Sequence, residues 1–337
     1  MKQINYVPKL NYLIHKIFFT NKRLFNYLAE IENNLNSKIK KININKPVFV
    51  CGMARSGTTL VTSFLNSLRT LGSPIYQDMP FINTPLVWNY FSKFYYGKNL
   101  NFKRYHGDDL VINLNSPDSF EEIFWINKNK NFDSIYKNFI KKIIFLRKSD
   151  RYLSKNNNLI SRLNYLTSKF SDAKIIVLYR NPLDTISSLV RINQKIIDSD
   201  KNKIISKYFR NIGHQEFGYF KNFQNPEGDE DYFNYVNKLW EEKDFKNAYR
   251  YEWINIYSYI QKHFSNNKNI FLLNFDDFVL DLNKHLEYIL YFIEDKNKID
   301  IFKNLKESIT LRKSNYVSSN REEDVIYENL CLNKPSL

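Results

Sequence analysis

Apolar and polar positions along the chain follow two rhythms. Val48–Cys51, Lys174–Tyr179 and Asn269–Asn274 are short runs dominated by Val, Ile, Leu and Phe, each closing on a polar or glycine position. Runs of this length, apolar on both faces, predict buried strands. Weaker strand candidates lie near Pro74–Tyr76 and Tyr152–Lys155. Between them apolar residues recur every three or four positions, which predicts helices over Thr58–Leu68, Pro85–Phe94, Pro117–Trp125, Leu159–Phe170, Pro182–Ile192, Tyr232–Phe264 and Leu282–Phe292. Several open on Ser, Asp or Asn ahead of Pro or an acidic residue, as helix starts do. Asn/Lys patches at 127–131, 156–158 and 266–268 read as loops. Strands alternating with helices predict a three-layer α/β/α sandwich with a mainly parallel central sheet and additional helices.

Two strand-to-helix junctions carry chemistry. In the first, the run from Pro47 to Cys51 stops at Gly52, passes Met53-Ala54-Arg55-Ser56, and restarts as a helix at Gly57-Thr58-Thr59-Leu60. Backbone N–H groups and a helix N-terminus hold phosphate in this geometry. The Gly52-x-x-x-x-Gly57 spacing is that of a P-loop, so the predicted fold is P-loop NTPase-like. Thr58 stands where a triphosphate-binding loop has its lysine, which favours a ligand with one phosphate at this point rather than three. Arg55 supplies a cation from inside the loop. In the second junction, Lys174–Tyr179 runs into Arg180-Asn181-Pro182, with Ser188 about two helical turns further on. A guanidinium beside a hydroxyl, at the edge where ligands of parallel sheets gather, suits a second phosphate.

Composition narrows the partners. The chain has 337 residues, 43% of them hydrophobic and 16% aromatic, enough for a substantial core. Its net charge of +15 suits an anionic ligand, nucleic acid or an acidic surface. The Lys and Arg residues are scattered, however, and no RNP, zinc-knuckle or helix-turn-helix pattern accompanies them, so nucleic acid is not an expected partner. Two cysteines, Cys51 in a predicted buried strand and Cys331, argue against a disulfide and for the cytoplasm. No apolar stretch reaches the length of a membrane span. Tyr12–Tyr27 reads as a helix packed on the domain, with peripheral membrane contact as its alternative. The expected layout is an N-terminal helical extension over 1–45, the main domain over 46–310, and a C-terminal segment over 311–337.

Arg55-Ser56-Gly57-Thr58-Thr59 after one strand, and Arg180-Asn181-Pro182 through Ser188 after another, resemble the two donor motifs of the sulfotransferases that use 3′-phosphoadenosine 5′-phosphosulfate (PAPS). The form Arg-Ser-Gly-Thr-Thr-Leu is closest to the tyrosylprotein sulfotransferases and their bacterial relatives. The resemblance implies that Arg55, Ser56, Gly57, Thr58 and Thr59 hold the 5′-phosphosulfate, and that Arg180 and Ser188 hold the 3′-phosphate. Tyr152–Asn157 resembles the segment whose lysine contacts the reacting sulfonate, which assigns that role to Lys155. Tyr76–Phe81 lies where the tyrosylprotein enzymes place a catalytic glutamate, here Asp78 at a shifted offset.

The implied activity is transfer of a sulfonate from PAPS to a hydroxyl or amine, leaving adenosine 3′,5′-bisphosphate (PAP) and requiring no metal. Arg55, Lys155 and loop N–H groups would stabilise charge on the bridging oxygen, and Asp78 would take the acceptor proton. His106 and His214 are the other candidate bases, and Leu311–Ser314 a candidate cover for the 3′-phosphate. Phe81, Trp88 and Trp125 serve equally as acceptor pocket or core. Carbohydrate, lipid, small metabolite and protein tyrosine all remain open as acceptor. The competing readings are a P-loop nucleotide kinase and a noncatalytic basic module binding phosphorylated ligands or nucleic acid.

Overall fold

The structure, a computed structural model, describes residues 16–96, 102–103, 111–200, 202–297, 303, 316–319 and 321–332. In chain order the principal elements are α1 (Lys22–Leu35), β1 (Val48–Gly52), α2 (Thr58–Asn66), β2 (Leu71–Gly72), α3 (Pro85–Tyr96), α4 (Glu122–Ile126), α5 (Phe132–Arg147), β3 (Arg151–Lys155) and α6 (Leu163–Lys169). There follow β4 (Lys174–Tyr179), α7 (Pro182–Ser199), α8 (Ile204–Ile212), α9 (Glu230–Glu241), α10 (Phe245–Phe264), β5 (Ile270–Asn274), α11 (Phe275–Leu280), α12 (Leu282–Phe292) and α13 (Glu322–Leu332). Short 3-10 turns cover Tyr76–Asp78 and Asn157–Arg162, and a two-residue antiparallel ladder joins Phe102–Lys103 to Val111–Ile112.

The chain divides into two compact units. One comprises Met1–Asn45, Arg69–Asn156 and Ile192–Lys221; the other comprises Lys46–Leu68, Asn157–Arg191 and Asn222–Leu337. In the second, β1 pairs with β4 and β4 with β5, all parallel. Their residues are almost all buried, which is why each strand reads as an apolar run rather than an alternation. Register sets Gly52 opposite Leu178 and Tyr179 opposite Asn274. The C-terminal ends of all three strands therefore lie side by side, and the two predicted anchor loops leave from neighbouring strands.

In the first unit, β2 and β3 pair in parallel, with Leu71 opposite Arg151 and Gly72 opposite Tyr152. The candidate strand at 152–155 is thus a strand. The one near Pro74–Tyr76 is not: the chain turns there, and the Ile75 N–H is bound by the Asp78 carboxylate at 2.8 Å. Aromatic rings knit α1, α4, α5 and β3 together, with centroids of Phe25–Phe124 at 5.1 Å, Phe124–Phe139 at 4.3 Å and Phe139–Tyr152 at 6.3 Å.

The predicted helix over Tyr232–Phe264 is two helices. Lys243 adopts φ 63° between α9 and α10, and Asp244 caps α10 by accepting the Asn247 N–H at 3.3 Å. The helix predicted over Pro117–Trp125 is confined to α4, because Asp118 and Ser119 are drawn into side-chain bonding.

Candidate active site

The first anchor is a tight loop whose glycines are required by close approach. A Cβ on Gly52 would lie 2.6 Å from both the Leu178 carbonyl and Ser56 Oγ. Gly57 adopts φ +94°, and a Cβ there would lie 2.0 Å from the Phe275 ring. Between them Arg55 holds φ 75°, a conformation that a non-glycine residue adopts at a cost. Tyr257 clamps the loop to the neighbouring strand: its hydroxyl accepts from the Met53 N–H at 3.2 Å and donates to the Leu178 carbonyl at 2.9 Å. Burial raises the Tyr257 pKa, so the hydroxyl stays protonated in this role. Gly57 offers no side-chain cap to α2, and its carbonyl accepts the Leu60 N–H at 3.0 Å as the helix starts. Thr58 Oγ1 donates to Asn157 Oδ1 at 3.0 Å.

The second anchor meets the first. Arg55 Nε donates to Ser188 Oγ at 3.1 Å, joining residues 133 positions apart in sequence. Arg180 takes other partners. Its Nη2 pairs with Asp184 at 2.8 Å, its Nε lies 3.6 Å from Asp276 Oδ1, and its guanidinium sits 5.6 Å from the Phe275 ring centre. Asp276 is itself held by the Asn181 N–H at 2.9 Å and by the Tyr327 hydroxyl at 2.9 Å. Phe275 therefore packs against Gly57 of one anchor and Arg180 of the other. The structure thus brings Arg55 to Ser188, while carboxylates hold Arg180.

Ser56, buried, and Thr59 lie in the same loop and helix start as Arg55, and the first unit holds Lys155, Asp78, His214, Phe81, Trp88 and Trp125. Lys155 is buried, paired with Asp118 Oδ1 at 3.0 Å and donating to Ser119 Oγ at 3.1 Å. Asp118 Oδ2 also accepts from the Tyr76 hydroxyl at 2.7 Å. Asp78 is buried too; its Oδ2 accepts the Ile75 N–H and is ion-paired with Arg147. His214 Nδ1 stands 3.9 Å from Glu216. His106 and Leu311–Ser314 lie outside the described residues. Trp88 donates Nε1–H to the Gln77 carbonyl at 2.9 Å and packs with Phe81 at 5.0 Å, while Trp125 packs with Phe132 at 4.6 Å.

Beside Lys155, Glu121 is fully enclosed. Its carboxylate accepts from Ser154 at 2.6 Å, Tyr152 at 2.7 Å and Tyr136 at 3.0 Å. Desolvation by burial raises its pKa above 4.5, against the lowering effect of those three hydroxyls. A raised folded-state value means that the native protein holds this proton more tightly than the unfolded chain. Its stabilising contribution is full below pH 4.5 and is lost as pH rises through the folded value. Glu121→Gln is expected to flatten that decline relative to the parent protein in urea unfolding measured across acidic pH.

Sequence reasoning missed Asp184, Asp276, Phe275, Asn157, Tyr257 and Asp118. Asp184 carried a usable signal, standing four residues after Arg180 on a predicted helix. Asp276 follows a predicted strand in an Asn-Phe-Asp-Asp helix start. Tyr257, far along a predicted helix, carried none. Among the described residues, no group of three or more His, Cys, Asp and Glu is placed to hold a metal ion, and no helix is long and apolar enough to cross a membrane.

A parallel sheet whose first strand feeds a glycine loop and a helix N-terminus defines a P-loop-like α/β protein. A sequence model of the sulfotransferase family matches residues 47–222, just over half of the chain, and the protein belongs to that family. The fold is similar to that of sulfotransferase STF9 from Mycobacterium avium, with TM-score 0.53, 11% identity, and coverage of 93% of this chain and 82% of that one. It is equally similar to sulfotransferase STF1 from Mycobacterium tuberculosis H37Rv, with TM-score 0.53, 9% identity, and coverage of 93% and 84%. No curated protein sequence matches the chain.

Proposed function

We propose that this sulfotransferase takes its sulfonate from PAPS and passes it in line to a hydroxyl or amine of its acceptor. The carrying observation is the contact of Arg55 with Ser188, which ties the two donor motifs to each other at adjacent strand ends. The loop suits a phosphosulfate: its glycines let the backbone pack against Leu178, Ser56 and Phe275, and α2 starts at Gly57 without a side-chain cap. Arg55, Ser56, Gly57, Thr58 and Thr59 would hold the 5′-phosphosulfate, and Arg180 with Ser188 the 3′-phosphate. PAPS supplies the activated sulfonate when bound.

The chain's own contribution is positioning and charge. Arg55 and the loop N–H groups would stabilise the negative charge that builds toward the 5′-phosphate. The family resemblance assigns Lys155 to the sulfonate and Asp78 to the acceptor proton, with His106 and His214 as the alternative bases. In Asp78 the turn and Arg147 both use Oδ2, so the proton would go to Oδ1.

Calorimetry with adenosine 3′,5′-bisphosphate tests the reading. Binding is expected without magnesium, and Arg180→Ala or Arg55→Ala should each weaken it by about ten- to hundredfold, the effect of losing a charge-assisted hydrogen bond. A preference for magnesium-ATP, with ADP as product, would move the protein to the kinase reading. Binding with no bisphosphate released from PAPS, whatever acceptor is offered, would leave only a binding module.

A further inference from the structure

Helix α3 breaks the rule that a helix buries its apolar side and shows its polar one. Its buried side is apolar, including Leu86 and Trp88, yet four of its described exposed residues are Val87, Tyr90, Phe91 and Phe94. The spacing i, i+3, i+4, i+7 puts these four on one face. Tyr90 is 77% exposed and Phe94 is 89% exposed. Helix α1 repeats the pattern with Tyr27, Ile31 and Leu35, spaced i, i+4, i+8, all exposed.

The two stripes adjoin within the first unit. Between Ile31 and Leu35, Glu32 turns inward and its Oε1 accepts the Val87 N–H at 2.8 Å. The Asn83 side chain, just before α3, donates to the Phe25 carbonyl at 3.0 Å. Val87, the first residue of the α3 stripe, is thus held at α1 between Ile31 and Leu35, and exposed apolar residues gathered in this way mark an interaction surface.

The charge around this face selects its occupant. Over residues 16–41 every charged residue that is exposed is basic: Lys16, Lys22, Arg23, Lys38, Lys40 and Lys41. Of the two acidic residues of that stretch, Glu32 is buried in an ion pair with Lys142, and the half-buried Glu30 accepts a hydrogen bond from Asn131. Exposed Tyr, Phe and Leu together with exposed lysines on flexible stems are the composition of a surface lying in the headgroup boundary of a bilayer. A second copy is disfavoured, because an isologous contact would set the same lysines against each other on a chain of net charge +15.

We infer that the α1–α3 face is a peripheral membrane-docking surface, which seats its Tyr, Phe and Leu side chains at the acyl boundary of an anionic bilayer while its lysines engage lipid phosphates. The attachment is reversible and needs both the apolar residues and the cations.

Co-sedimentation of the full chain with vesicles tests this. The probes are phosphatidylcholine vesicles containing about one-third phosphatidylglycerol, and vesicles of phosphatidylcholine alone. Partition is expected to the anionic vesicles only, and to fall in high salt. The double variant Phe91→Ser/Phe94→Ser, and separately the triple variant Lys38→Glu/Lys40→Glu/Lys41→Glu, should each reduce it by about tenfold or more. These side chains are exposed, so thermal unfolding and bisphosphate binding should stay at parental values in both variants. Failure to bind anionic vesicles, or binding that neither variant weakens, overturns the proposal. So does a dimer in analytical ultracentrifugation that Phe91→Ser/Phe94→Ser disperses, since the face would then belong to a second copy.

Discussion

Replacing Gly57 by alanine is expected to cost about 2–4 kcal/mol of stability and to weaken binding of adenosine 3′,5′-bisphosphate more than tenfold. Two separate penalties add. The backbone at this position has φ +94°, which an L-residue with a Cβ resists. The new Cβ would also lie 2.0 Å from Cδ2 and 2.3 Å from Cε2 of Phe275, so either the ring or the loop must move. Phe275 in turn lies under the Arg180 guanidinium, so the displacement disturbs both anchors at once. Urea unfolding reads the first penalty and calorimetry the second. Adding Phe275→Ala should relieve the clash but not the dihedral strain, restoring stability only in part. An alanine variant that binds the bisphosphate as tightly as the parent protein would remove this loop from the donor site.

Lys142→Ala is expected to destabilise the protein by about 3–5 kcal/mol. Lys142 Nζ is buried 2.8 Å from Glu32 Oε2 and reaches the carbonyls of Ala29 and Asn83 at 3.4 Å. Burial lowers its pKa and the Glu32 carboxylate opposes that shift. Truncating the lysine leaves the buried Glu32 carboxylate with the Val87 N–H but no countercharge, which costs more than the pair itself contributed. The double variant Lys142→Met/Glu32→Gln should recover most of the loss, because neither buried charge remains. Thermal or chemical unfolding separates the two. If Lys142→Ala unfolds like the parent, or if the double variant is no better than the single, the pair carries no such penalty.

How much was legible varied with how locally each feature is encoded. The strands at Val48, Lys174 and Ile270 stood out because strands buried on both faces must be apolar throughout. The loop at Gly52–Thr59 was legible because the spacing of its two glycines after an apolar run and its helix start are local, although the contacts that require glycine there, with Leu178 and Phe275, are not. Helix α5 was overlooked although Phe132, Ile135, Tyr136, Phe139, Ile140, Ile143 and Ile144 hold a three–four spacing, because Lys and Asn interrupt the run without breaking its face. The break between α9 and α10 was not legible. Glu242, Lys243 and Asp244 all occur readily inside helices, and only the left-handed turn at Lys243 separates the two segments.

The partners of the site residues were the least accessible part. Arg180 and Ser188 share one helix start, and proximity in sequence suggested that they act as a pair. In the fold Ser188 accepts from Arg55, and Arg180 is drawn to Asp184 and Asp276. A guanidinium goes to the nearest carboxylate, and Asp276 arrives from the start of α11, almost a hundred residues later.

By itself the sequence determined the alternation of strand and helix, the glycine loop with its missing lysine, and the two motifs that mark the family, all of which are written in residues within one or two turns of each other. Only the tertiary structure decided which side chains close on Arg55, Lys155 and Asp78, and that the apolar stripes of α1 and α3 adjoin on one exposed face. Those facts depend on strand register and on the meeting of segments far apart along the chain, where side chains compete for partners by distance in space.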